Sequence, residues 1–120
     1  MPDNAGPTNV FSAYPDIFKH WLKMGQELMR GDSPLSEGER ELIASYVVGL
    51  NKCEYAYVAH AAVTYAWGIQ EGLLEALLED PDSAPVEEKF RPLLAFVRKL
   101  TLTPSEMEKA DADAVFAAGW

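Results

Sequence analysis

The sequence has only one cysteine, Cys53, and few basic residues. A single cysteine cannot form an intramolecular disulfide, so we expect the protein to work in a reducing cytoplasm. Ten Lys and Arg residues stand against nineteen Asp and Glu residues, which gives a formal net charge of −9. Such a field repels nucleic-acid phosphates and anionic lipid surfaces, and it therefore argues against a nucleic-acid or membrane partner.

The chain also lacks a long hydrophobic run, a signal peptide and a metal-ligand set. No apolar stretch approaches the roughly 20 residues that cross a bilayer. The opening MPDNAGPTNV has neither a basic start nor an apolar core. One cysteine and two separate histidines, His20 and His60, cannot supply the tetrahedral ligands of structural zinc. We therefore expect a soluble protein without a bound metal. His20 has no acid or thiol at helical spacing behind it, so we expect it to be a surface or partly buried residue and not a catalyst.

The pattern of apolar residues predicts an all-α domain. A length of 120 residues with 48% hydrophobic residues suits one packed core. Residues 1–12 show no apolar period and predict a loose arm, whereas residues 13–120 predict a single bundle of about six helices. After Pro15, apolar residues recur at helical spacing and predict a helix with a broad buried face. These residues are Ile17, Trp21, Met24 and Leu28.

Helix boundaries can be read around the segment from Glu41 to His60. Ser36 and Glu39 form a capping-box pattern, which predicts a helix start near Glu37. Asn51 and Lys52 interrupt the apolar pattern, and asparagine tolerates the left-handed conformation that ends helices, so the next helix should begin at about Cys53. Glu41 falls beside the apolar face of the first of these helices, and that helix alone favours a solvated carboxylate.

Cys53, Ala56 and His60 follow one another on a single helix face. The positive end of the helix dipole and the neighbouring Lys52 favour the thiolate form of Cys53. His60 lies two turns beyond, roughly 10 Å away, so a water or a substrate atom must bridge the two groups. A purely structural role for Cys53 and His60 competes with the catalytic one. A free cysteine is commonly a small buried hydrophobe, and a lone histidine is often a core residue.

The array of Glu41, Cys53, Ala56 and His60 resembles the signature of the alkylhydroperoxidase D-like (AhpD-like) and carboxymuconolactone decarboxylase family. The redox members of that family read E-x11-C-x2-C-x3-H. The phrases SPLSEGERELIASYVVGLNKCEY, EALLEDP and FVRKLTLTPSEM are similar to its peroxidase-related branch. The resemblance covers residues 13–120 and implies an AhpD-like helical fold, assembled as a homo-oligomer, either a trimer or a hexamer.

The resemblance also implies a chemistry, in which hydroperoxides are reduced at a cysteine pair. Glu41 would be the relay acid, His60 the base and Cys53 the outer thiol of the pair. Position 56, where the second cysteine belongs, is Ala56. A dithiol cycle within one subunit is therefore impossible, and a weak one-cysteine peroxidase would need an external thiol reductant and no bound cofactor. Whether Ala56 is natural or engineered stays open.

Two alternatives remain open at this stage. The decarboxylase side of the family uses acid–base chemistry on a lactone, for which Glu41 and His60 would serve without a cysteine pair. The other alternative is a non-catalytic helical scaffold that keeps only the assembly. Family members usually continue beyond a Gly–Trp pair such as Gly119–Trp120, so the resemblance implies a truncated product or a short variant covered by a partner subunit.

Overall fold

A computed structural model describes residues 6–120, and the regular secondary structure in that range is all helical, without a strand. This confirms the predicted all-α class. The described residues form seven α-helices and one 3-10 turn at Pro104–Glu106. In chain order the helices are α1 (Pro7–Ala13), α2 (Pro15–Arg30), α3 (Glu37–Leu50), α4 (Glu54–Ala66), α5 (Leu73–Glu79), α6 (Phe90–Leu102) and α7 (Lys109–Ala117). No helix in the described range is long and apolar enough to span a membrane.

Where the structure describes the predicted loose arm of residues 1–12, the chain is helical, because α1 begins at Pro7. Proline suits the first position of a helix, where its missing N–H has no partner to lose. The side chain of Asn9 accepts a hydrogen bond from the Gly6 N–H at 2.9 Å and closes the first turn. Residues 1–5 of the predicted arm lie outside the described residues.

The chain forms two compact units, one ending at Ser33 and the other comprising Pro34–Trp120. The predicted single domain over residues 13–120 spans this boundary. In the first unit, Phe11 of α1 packs its ring against Phe18 and Trp21 of α2, with centroids 4.7 and 4.9 Å apart.

The broad buried face predicted for α2 is wrong. Its stripe residues Ile17, Trp21, Met24 and Leu28 are 51–66% exposed, and no residue of α2 is buried. Among the described residues of its own unit, α1 is the one helix on which α2 packs, and its seven residues are too few to cover a sixteen-residue helix.

The second unit is organised around α3. This helix packs most extensively against α4, and α5 and α6 also contact it. Helix α7 lies against α6, where Lys99 and Asp111 form an ion pair with a 2.8 Å contact. The core consists of Leu42, Tyr46, Ala61, Leu73, Leu74, Leu77, Ala84, Phe90 and Leu94.

The junction between α3 and α4 is closed by backbone hydrogen bonds. The predicted capping box at the start of α3 is confirmed, with Glu39 Oε2 accepting from the Ser36 N–H at 2.7 Å. At the other end, the prediction of a left-handed Asn51 is wrong. Asn51 is helical, and Lys52 takes the positive φ of 55°. The Lys52 N–H donates to the Gly49 carbonyl, and the Cys53 N–H donates to the Val48 carbonyl. This is the Schellman pattern, and it places the left-handed residue at Lys52, one position after Asn51.

Candidate functional site

Glu41 lies inside the protein, contrary to what its helix alone favours. The residue is only 4% exposed, on the buried side of α3 that also carries Leu42, Ser45 and Tyr46. An unpaired carboxylate at such a position would be costly, so its partners decide whether the position is tolerable.

The partner that crosses from α4 is His60. Its Nδ1 lies 2.9 Å from Glu41 Oε2, so the acid and the imidazole are in direct hydrogen-bond contact. The two side chains differ in access to solvent, since that of His60 is 41% exposed and that of Glu41 is 5% exposed. A carboxylate on Nδ1 favours the tautomer with its proton there, which leaves Nε2 as a proton acceptor. The pair can therefore accept and return a proton at Nε2.

A second polar pair, which was not predicted from the sequence, supports the first. Ser45 Oγ and Thr64 Oγ1 lie 2.8 Å apart, and both residues are completely buried. Thr64 Oγ1 donates to the carbonyl of His60 at 2.8 Å, so the hydrogen between the two hydroxyls comes from Ser45. Ser45 follows Glu41 by four residues and Thr64 follows His60 by four, and this spacing was the available signal.

Helix α4 begins one residue after the predicted start at about Cys53, so Cys53 is the N-cap residue, and it does not join the Glu41–His60 pair. Its side chain is exposed and borders a concave surface of about 270 Å³, which we call the thiol hollow. This hollow is lined by Gly49, Lys52, Cys53, Glu54, Tyr57 and Leu78. Neither Glu41 nor His60 lines it. Ala56 lies half-buried in the first turn of α4.

The backbone of Cys53 is held on both sides. Its N–H donates to Val48 at 2.9 Å as part of the turn that ends α3, and its carbonyl accepts from the Tyr57 N–H at 2.9 Å in the first turn of α4. The thiol therefore projects from a fixed corner between two helices.

Tyr57 and Tyr65 share one carboxylate, Glu75. Tyr65 donates to Glu75 Oε2 at 2.6 Å, and Tyr57 donates to Glu75 Oε1 at 3.4 Å. Burial, together with the hydrogen bond and charge of Glu75, raises the pKa of Tyr65 to about 12. The hydrogen bond from Tyr65 lowers the pKa of Glu75. These bonds fasten α4 to α5, whose Leu78 forms one wall of the thiol hollow.

His20 lies on α2, in the other unit, and is exposed as predicted. Over residues 6–120 there is no group of three or more His, Cys, Asp or Glu side chains that could hold a metal ion.

Comparison with known proteins gives both a family and a fold. Residues 15–82 match the carboxymuconolactone decarboxylase family. Among solved structures, an uncharacterized peroxidase-related protein from Silicibacter sp. TM1040 is 35% identical, with a TM-score of 0.82 over 93% of this chain. An uncharacterized peroxidase-related protein from Ralstonia eutropha JMP134, described as an alkylhydroperoxidase AhpD core, is 26% identical, with a TM-score of 0.81 over 92% of this chain.

The chain matches only 60% and 58% of the lengths of these two proteins. No curated protein sequence matches it.

Proposed function

The chain belongs to the carboxymuconolactone decarboxylase family, and on that premise we propose that it is an AhpD-like, peroxidase-related protein that reduces hydroperoxides slowly at Cys53. The observation that carries the proposal is the 2.9 Å contact between the buried carboxylate of Glu41 and the half-open imidazole of His60. The likeness to two peroxidase-related structures supports the same assignment.

The proposed first step occurs at the sulfur of Cys53. The thiolate attacks the outer oxygen of a hydroperoxide, an S–O bond forms, and the O–O bond breaks. The sulfur is oxidised to a sulfenic acid and the hydroperoxide is reduced to an alcohol, whose oxygen takes up a proton. The exposed side chain of Cys53 at a fixed helix corner suits attack on a small substrate.

In this proposal His60 handles protons at a distance from the sulfur. His60 removes the thiol proton and returns a proton to the alkoxide, while Glu41 stabilises the imidazolium form between the two events. Two helical turns separate Cys53 from His60, roughly 10 Å, so the proton travels through water or along the substrate. Because the proton needs this bridge, we expect a slower reaction than direct contact between His60 and the thiol would give.

The second step needs a thiol from outside the chain, because residue 56 is alanine and Cys53 is the only cysteine. An external thiol attacks the sulfenic sulfur, water leaves, and a mixed disulfide forms. A second external thiol then releases Cys53 and departs as the oxidised disulfide. Turnover should therefore depend on the concentration of the external thiol.

The test is consumption of cumene hydroperoxide in the presence of dithiothreitol, compared with Cys53→Ser as the matched control. The proposal expects slow turnover that Cys53→Ser abolishes. It also expects that Ala56→Cys, which restores the motif of the family, gives faster turnover and an intramolecular disulfide detectable by mass spectrometry. Turnover equal to that of Cys53→Ser in both the wild type and Ala56→Cys would remove the peroxidase proposal.

The separation of the Glu41–His60 pair from the thiol hollow favours one alternative, an acid–base enzyme of the decarboxylase type. In that case the pair moves protons on a carboxylated lactone and Cys53 is a bystander. Release of carbon dioxide from such a lactone would then be lost in Glu41→Gln and unchanged in Cys53→Ser. If neither substrate reacts while the assembly stays intact, the remaining interpretation is a non-catalytic scaffold.

We also propose that the protein forms a homo-oligomer, a trimer or a hexamer, through the exposed face of α2. Ile17, Trp21, Met24 and Leu28 present an apolar stripe to solvent, and such a stripe is typical of a protein interface. Sedimentation velocity should show an oligomer that Ile17→Lys with Leu28→Lys dissociates. The control Gln26→Lys changes the charge of the same helix outside the stripe and should leave the oligomer intact.

A further inference from the structure

A second cleft, of about 400 Å³, lies in the Pro34–Trp120 unit between α3, α5, the following loop and α6. Its lining includes Tyr46, Leu77 and Leu94 together with the charged residues Asp82, Arg91 and Arg98. We call it the arginine cleft. Glu41, Cys53 and His60 do not line it, so the arginine cleft is separate from the site of the proposed peroxidase chemistry. Its volume falls within the range of small-molecule sites.

Tyr46 is the first sign of a ligand. The residue is 0% exposed, and across residues 6–120 its Oη is the one buried side-chain oxygen or nitrogen without a hydrogen-bond partner. A buried hydroxyl without a partner is unfavourable, and native proteins rarely keep one without a reason. A ligand atom that accepts a hydrogen bond would satisfy it.

The two arginines supply the charge, in different ways. Arg91 is fixed, because its Nε donates to Glu88 and its terminal nitrogens donate to the carbonyls of Asp82 and Ala84. A guanidinium has five N–H groups, so Arg91 keeps two for a ligand. The Arg98 side chain forms no hydrogen bond or ion pair within the described residues, and its whole donor set is therefore available.

The balance of the lining favours an anion over a cation. Two guanidinium groups face one carboxylate, that of Asp82, although the chain as a whole carries a net charge of −9. The remaining walls are mostly apolar and include Leu77 and Leu94. An inorganic phosphate would leave these walls uncovered, and its second charge would be repelled by Asp82.

We propose that the arginine cleft binds a small monocarboxylate with an apolar body. Arg98 holds the carboxylate in a bidentate hydrogen bond, Arg91 adds a fixed donor, and Tyr46 Oη donates to a carboxylate oxygen. The apolar body covers Leu77 and Leu94.

The test uses benzoate as the probe with the full chain at constant ionic strength. Titration followed by amide NMR should show saturable binding, with shifts centred on residues of the arginine cleft. Benzamide has the same shape without the charge and should not bind, and inorganic phosphate should bind at least about tenfold more weakly than benzoate. Absence of saturable benzoate binding, or equal binding of phosphate or benzamide, overturns the proposal.

Variants then assign the roles of individual residues. Arg98→Gln should weaken benzoate binding by at least about tenfold, and Tyr46→Phe by about three- to tenfold. The control Lys109→Gln removes the same charge from the exposed end of α7 and should change the affinity less than about twofold. If Arg98→Gln binds no more weakly than Lys109→Gln, the cleft is not the site. Circular dichroism of each variant confirms folding, and a misfolded Tyr46→Phe would leave Arg98→Gln as the deciding variant.

Discussion

Replacing Thr64 with valine is expected to destabilise the Pro34–Trp120 unit by about 1–3 kcal/mol, although valine has nearly the same shape. Thr64 Oγ1 has two partners at 2.8 Å, the Ser45 hydroxyl and the His60 carbonyl, in a completely buried position. Valine removes both bonds and leaves the Ser45 hydroxyl buried without a partner. The cost of that stranded hydroxyl is the larger part of the effect.

Ser45→Ala should cost less, about 0.5–1.5 kcal/mol, because Thr64 keeps its bond to His60. In the double variant no hydroxyl is stranded, so its cost should fall short of the sum of the single variants by about 1 kcal/mol. For a unit of this size, each kcal/mol corresponds to a fall in Tm of about 4–8 °C.

The assay is urea unfolding followed by circular dichroism, with an unchanged slope as the check that the denatured state is the same. Thr101→Val is the matched control, because Thr101 donates to the Val97 carbonyl at 2.7 Å in the same way and has no second hydroxyl partner. If Thr64→Val costs no more than Thr101→Val, or if the double variant equals the sum, the account of the Ser45–Thr64 pair is refuted.

Two further predictions concern the surroundings of the site. The pKa of Tyr65 is raised from 10.0 to about 12, so the stability that this phenol contributes is complete below about pH 10 and is lost as the pH rises through about 12. Absorbance titration should show that Tyr65 ionises with this raised pKa. Glu75→Gln should lower the pKa of Tyr65 towards 10 without reaching 10, because burial is the larger cause of the shift. An unchanged midpoint in Glu75→Gln would contradict the assignment to Glu75. In the second prediction, Gly38→Ala should destabilise the protein, since the new Cβ would lie 3.0 Å from the Trp67 carbonyl oxygen. The Cβ of Gly25→Ala would meet nothing within 4 Å, so this change should stabilise α2 by about 0.5–1 kcal/mol in urea unfolding. Equal effects of the two changes on stability would refute this prediction.

The sequence predicted the fold class and the main helix boundaries because those depend on local patterns. The capping box at Ser36 and the start of α4 near Cys53 are both decided within a few residues; the capping box is confirmed, and α4 begins one residue beyond Cys53. The position of the left-handed residue was wrong by one, at Lys52 instead of Asn51. Composition favours asparagine there, but the Schellman hydrogen bonds set the position.

Burial was predicted less well, because it depends on which element covers a face. The stripe of α2 has the spacing of a core helix, yet Ile17 and Leu28 are each 66% exposed. The reverse holds for Glu41, whose carboxylate is buried because His60 meets it from α4. The apolar periodicity of one helix cannot predict a partner that lies nineteen residues away on another helix.

The site was predicted in part. Glu41 and His60 of the family-like array are in contact, whereas Cys53 lies at a hollow that is lined by other residues. The Ser45–Thr64 pair and the Tyr65–Glu75 bond were not foreseen, since each depends on the packing of two helices. The catalytic roles of Glu41, Cys53 and His60 stay predictions until the chemistry is measured.

The most direct test of the central claim is the rate at which cumene hydroperoxide oxidises Cys53 to the sulfenic acid in a single turnover without reductant. Trapping with dimedone and mass spectrometry measures that rate for the wild type, Glu41→Gln and His60→Gln. We expect both variants to react at least about tenfold more slowly than the wild type, because the proton relay to Cys53 is broken. Equal rates in all three proteins would show that Glu41 and His60 do not serve this thiol.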